Sequence, residues 1–172
     1  MVRLLGVLVE AGELAPAQGG YEARIGGLPG SLQRTMTGSS WRFGCPVGLE
    51  DLRLITMPHH DLAGDVRWGH LVVHRQVAPD VADAFGAIHD AGFPIERMRI
   101  VDRYGADDDR SMADNNTHAF NCRRITGGSS YSQHSYGWAI DINPVQNPYV
   151  RGGRCCPRRG APTSTATTCA LA

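Results

Sequence analysis

Two side chains in the stretch Ser132-Gln133-His134-Ser135-Tyr136-Gly137-Trp138-Ala139-Ile140-Asp141-Ile142 have types and spacing suited to chemistry. His134 and Asp141 stand on either side of Gly137. Asp141 is the one charge among Ala139, Ile140 and Ile142, a run that reads as a buried strand. A lone buried carboxylate is costly unless it is paired or binds a metal. A histidine nitrogen and an aspartate oxygen are both suitable zinc ligands, and zinc supplies the compensating charge. Gly137 permits the tight turn that lets the two side chains converge. The alternative is a surface-loop histidine and an aspartate capped by backbone N–H groups.

The full pattern S-x-H-x-x-G-x-A-x-D-I resembles the zinc peptidases that cut peptidoglycan stem peptides, the VanY-like D-alanyl-D-alanine carboxypeptidase and L-alanyl-D-glutamate endopeptidase family. Ser111-Met112-Ala113-Asp114-Asn115-Asn116-Thr117, the Phe120 to Arg124 block and Asn143 to Gly153 extend the resemblance over roughly residues 40 to 154. The resemblance implies one zinc ion, with His134 and Asp141 as its first two ligands. It implies an arginine aimed at the reacting oxygen, for which Arg123 is the best match and Arg124, as a substrate-binding group, the runner-up. Ser132 is implied as support for a ligand. The substrate implied is a peptidoglycan stem peptide, and the place the cell envelope or the exterior.

The family's third ligand, a histidine, and its acidic general base lie downstream of the motif. After Asp141 this chain has neither a histidine nor an acid. From Cys155 the composition shifts abruptly to Arg, Pro, Thr and Cys, as a frameshift after Arg154 in a GC-rich gene would produce. The expectation is therefore an incomplete peptidase core over 40–154, an N-terminal segment over 1–39 and an atypical tail over 155–172. The only upstream substitute for the missing ligand is His118. The alternatives to an enzyme are a non-catalytic remnant that binds wall peptides and a domain in which zinc is structural.

Composition sets the remaining bounds. The chain has 172 residues, 42% hydrophobic and 20% charged, which fits one globular domain. Its 17 basic residues are all arginine and are balanced by 17 acids, against a nucleic-acid binder. The apolar run Leu4 to Val9 ends at Glu10, too short to cross a bilayer, and Ala15-Pro16-Ala17 is a poor cleavage site. No other segment reads as transmembrane. Cys45 and Cys122 form either a bridge across a long loop or two separate buried thiols.

The elements that must hold the motif make an α+β unit, a small antiparallel sheet flanked by helices, and the resemblance implies a Hedgehog-like peptidase fold. Residues 10–40, rich in Gly, Ala, Pro and Ser, read as a loosely packed lead-in, with a short strand and turn over 24–29. Strands are expected over 49–57, 69–74, 95–104 and 119–125. A helix opens at Pro79-Asp80, carries Val81, Ala84, Phe85 and Ile88 as its apolar stripe, and closes at Gly92. Asp107-Asp108-Asp109 reads as a solvated acidic turn, 111–117 as polar loop, and 143–150 as extended, proline-stiffened chain.

Overall fold

The computed structural model describes residues 20–125, 128–151 and 154–156. Three strands, β1 (Arg24–Gly27), β2 (Leu52–His60) and β3 (Val66–His74), form an antiparallel sheet in that order. β2 and β3 pair along their whole length, from Leu52 opposite His74 to His60 opposite Val66. Alternation then sends Ile55, Met57, Leu71 and Val73 to one face and Leu52, Leu54 and Val72 to the other. Each face has its own core, so the architecture is α+β, as the sequence indicates.

Helix α2 (Ala78–Asp90) covers the first face. Pro79 suits its first turn, and Gly92, at φ 64°, ends it in the left-handed conformation. The buried stripe is Ala78, Ala82, Phe85 and Gly86, with Val81 and Ile88 half-buried. Ala84 is exposed, a correction to the expected stripe. The helix is rotated because Tyr21 packs on Gly86 and donates its hydroxyl to the Ala82 carbonyl at 2.6 Å. Burial pushes the Tyr21 phenol up to about 12, so it stays a donor. Packing therefore begins upstream of residue 40. Tyr21, Leu28 and Met36 all enter a core, and α1 (Gly30–Met36) packs its end there, unlike a loose lead-in.

The second face is closed by Leu28, Met36, Phe120 and a disulfide between Cys45 and Cys122, whose Cα atoms are 6.0 Å apart. The bridge ties the segment leading into the site to the loop after α1. Two expected strands are not regular strands. Residues 95–104 contribute only β4 (Arg97–Met98), because the side chain of Asn116 takes both polar groups of the Arg99 backbone. A 3-10 turn over Val101–Tyr104 follows. Residues 119–125 run extended, but their amides are spent singly: Phe120 on Val72, Cys122 on the Ser40 carbonyl.

The expected polar loop at 111–117 instead holds the end of helix α3 (Asp108–Ala113) and strand β5 (Asn116–Thr117), which pairs in parallel with β4. Residues 143–147 turn rather than extend, with Asn143 at φ 41° accepting the amides of Gln146 and Asn147 at its carbonyl. Strands β6 (Tyr149–Arg151) and β7 (Arg154–Cys156) form a hairpin after it. The signal-like N-terminus and the tail beyond Cys156 lie outside the described residues.

Candidate metal centre

Ser132 begins the motif as a cap, its hydroxyl accepting the His134 amide at 3.4 Å. Residues Gln133–Tyr136 make one 3-10 turn, and Gly137, at φ 70°, reverses the chain. The Gly137 carbonyl accepts the His74 amide at 3.0 Å, fixing the turn against the end of β3. A Cβ at position 137 would lie 2.6 Å from the His74 nitrogen, so only glycine fits. Asp141 is not in a strand, contrary to expectation. It forms a single antiparallel bridge with His118, closed by backbone hydrogen bonds of 3.2 and 3.0 Å.

That bridge decides the geometry. Residues directly opposite each other in an antiparallel pair present their side chains on the same face. His118 therefore stands beside Asp141, and its ring stacks on that of His134 with centroids 5.5 Å apart. His134 Nε2 lies 3.2 Å from Asp141 Oδ2, and His118 Nε2 lies 4.0 Å from the same oxygen. One ligand atom from each of His118, His134 and Asp141 lies within 4.8 Å of the others. A tetrahedral zinc with bonds of about 2.0–2.1 Å sets its ligand atoms roughly 3.3 Å apart, so the three are close to a metal-ready arrangement.

The ring of His134 is also correctly primed. Its Nδ1 is 2.6 Å from the Ala119 carbonyl, which can only accept, so Nδ1 carries the hydrogen and the neutral ring keeps a lone pair on Nε2. Burial alone would lower the pKa of His134. The hydrogen-bonded Asp141 carboxylate and the Ala119 carbonyl outweigh it, and the net direction is up. Burial would raise Asp141, but the bond to His134 and the charges of both histidines bring it below the usual carboxylate range. Both shifts describe one pair stabilising its charged form. The donor set of two imidazoles and a carboxylate suits zinc.

Arg123 reaches the same place. Its guanidinium contacts Asp108 Oδ2 at 2.6 Å, while Asp108 Oδ1 sits 3.1 Å from His118 Nε2. Burial pushes Asp108 up, but His118, Arg123 and His134 together hold its carboxyl down at about 2. The Arg123 Nε is buried and has no hydrogen-bond partner among the described residues. Arg124 is exposed, its guanidinium lying 4.8 Å over the Tyr131 ring, and is not brought to the donors.

Asp108 is the residue that reading the acidic triplet as solvated left out. Asp107 does behave as a turn residue, capping α3 by accepting the Arg110 amide. That cap leaves Asp108 in the first helical turn, turned inward to His118 and Arg123. The cap residue Asp107 was the available local signal for the helix start; the inward partner of Asp108 was not visible from spacing.

Residues 126–171 match a family model described as D-alanyl-D-alanine carboxypeptidase. The matched stretch contains His134 and Asp141, and supports a peptidase. It runs past Arg154 to residue 171, whereas Asp108, His118 and Arg123 lie upstream of it. Neither the curated proteins nor the solved structures yield a match.

Proposed function

We propose that this protein is a zinc-dependent peptidase acting on peptidoglycan stem peptides, with His118, His134 and Asp141 as its protein ligands. The observation that carries the reading is the convergence of those three donors, two of them inside the carboxypeptidase-like stretch. His118 takes the part that the resembling enzymes give to a downstream histidine. Zinc held there supplies a Lewis acid that polarises a carbonyl and lowers the pKa of water.

The chain's own residues do the rest. Ala119 fixes the His134 tautomer, and Ser132 and Gly137 hold the turn that aims it. Arg123 places a cation beside the donors through its pairing with Asp108, where it favours a developing oxyanion. Asp108 anchors that arginine. With the His118 ring given to the metal, Asp108 keeps its ion pair with Arg123, so it serves as a positioning residue. The Cys45–Cys122 bridge supports an oxidising compartment, consistent with the cell envelope or the exterior.

The test is incubation of zinc-loaded protein with a stem pentapeptide ending in D-Ala-D-Ala and with an L-Ala-D-Glu muropeptide, followed by mass spectrometry. Release of D-alanine, or a split at L-Ala-D-Glu, is expected, and His134→Ala abolishes it. Stoichiometric zinc without cleavage of either substrate overturns the peptidase reading.

A further inference from the structure

The second face of the sheet carries a cavity of about 520 Å³ remote in function from the donors described above. Trp68, Met98 and Ile100 give it apolar walls, Arg99 and Arg103 bring cationic groups, and no acidic residue lines it; burial and the nearby Arg103 lower the pKa of His70, so that ring enters as a neutral hydrogen-bonding group. Arg24, Arg67, Arg75, Arg97 and Arg123 are matched to carboxylates, while Arg42 and Arg53 are spent on backbone carbonyls and Arg124 on the Tyr131 ring. Among the described residues, Arg99 and Arg103 have no such ion pair. Two guanidinium groups sharing one cavity without a counter-charge repel each other, and an anion relieves that.

The cavity is also built rather than incidental. The Arg99 backbone is clamped in both directions by the Asn116 side chain, at 2.9 Å each way. Asn116 in turn donates to Ser111 at 3.0 Å, which neighbours His118. His70 is held by Thr56, its Nδ1 3.1 Å from the hydroxyl. Trp68 is 42% exposed although it sits in a strand, and the Arg24 guanidinium lies 5.8 Å over its ring. Such an aromatic offers a flat apolar face beside the cations.

We infer that this cavity binds an organic anion, a carboxylate or phosphate on a planar or ring-bearing body. The acid pairs with Arg99 and Arg103, and the ring lies on Trp68. Bidentate capture of either acid by a guanidinium is the recognition chemistry. The site is separate from the metal ligands, so its occupancy survives their removal.

The experiment titrates benzoate, phenyl phosphate and uncharged benzyl alcohol into the full-length protein carrying His134→Ala. The indole N–H resonance of Trp68, assigned by its loss in Trp68→Phe, reports binding. Saturable shifts are expected for one or both anions and not for the alcohol, and which anion binds more tightly identifies the acid. Arg99→Gln with Arg103→Gln weakens the preferred anion by about tenfold or more, and the paired lysine variants, which keep the charge but lose the bidentate fork, recover only part of that loss. Both arginine side chains are exposed, so these variants keep the fold. Equal binding of benzyl alcohol, unchanged affinity in the glutamine variant, or no saturable shift with either anion overturns the inference.

Discussion

Asp108→Asn removes the charge that Arg123 and His118 share while keeping the shape of the side chain. In the folded protein the carboxyl sits at about 2, against an ordinary 3.8. A shift of nearly two units corresponds to about 2 kcal/mol of stability at neutral pH, at 1.36 kcal/mol per unit. The side chain is 17% exposed and that of Arg123 28%, so the value falls between that of a surface pair and that of a fully buried one. Because the folded pKa is depressed, the contribution is complete above the unfolded value near 4. It is lost as pH falls through about 2. Metal-free Asp108→Asn protein is therefore expected to lose about 2 kcal/mol at pH 7, a drop in Tm of roughly 4–8 °C. Its stability is also expected to vary less than wild type between pH 4 and 2. Chemical denaturation across that pH range measures both. A variant within about 0.5 kcal/mol of wild type at pH 7, with an unchanged acid limb, would refute the assigned role of the carboxylate.

Gly137→Ala forces a left-handed backbone on alanine and drives its Cβ into the His74 amide. It is expected to cost about 2–4 kcal/mol and to weaken zinc binding, as thermal melts and zinc titration will show; a neutral effect contradicts the tight turn. Replacing both Cys45 and Cys122 by alanine removes a bridge closing 77 residues and is expected to cost about 2–5 kcal/mol, lowering Tm by roughly 5–15 °C; a shift under about 2 °C argues against the bridge. His134 must be neutral to bind metal, and its pKa is raised above 6.5, so zinc affinity is expected to start falling above pH 6.5 as the solution is acidified. In the metal-free protein the same raised pKa adds stability at low pH that is lost as pH rises through it. Isothermal titrations over pH 5.5–8 decide the affinity question, and affinity flat across pH 6–8 contradicts it.

The local chemistry of the motif was legible because it is carried by adjacent residues. The Gly137 turn brings His134 and Asp141 together as the motif indicated, although Asp141 sits on an isolated bridge and not in a buried strand. Strands near β2 and β3 were likewise readable from their apolar and β-branched content, and helix α2 from Pro79 and Gly92, but the pairing of β2 with β3 was not. What failed did so where long-range polar contacts overrode local pattern. Asn116 reaching across to Arg99 breaks a strand that Ile95, Met98 and Ile100 would otherwise favour. Tyr21, from a stretch rich in glycine and proline, rotates α2 by claiming Ala82 and Gly86. Asp108 and His118 join the site through one bridge, His118 to Asp141, whose register is a tertiary fact without a local signature. The spacing of His134 and Asp141 became a metal reading only through the full S-x-H-x-x-G-x-A-x-D-I pattern, and His118, the substitute ligand the sequence offered, is brought beside them by the pairing of distant segments.

The central claim is that His118, His134 and Asp141 together hold one metal ion. Zinc content of the purified protein, loaded with zinc and then dialysed, tests it against the three single alanine variants. One zinc per chain in wild type, with affinity reduced more than about 100-fold in each variant, is the predicted result. Zinc absent from wild type, or retained when His118 is replaced, would contradict the account.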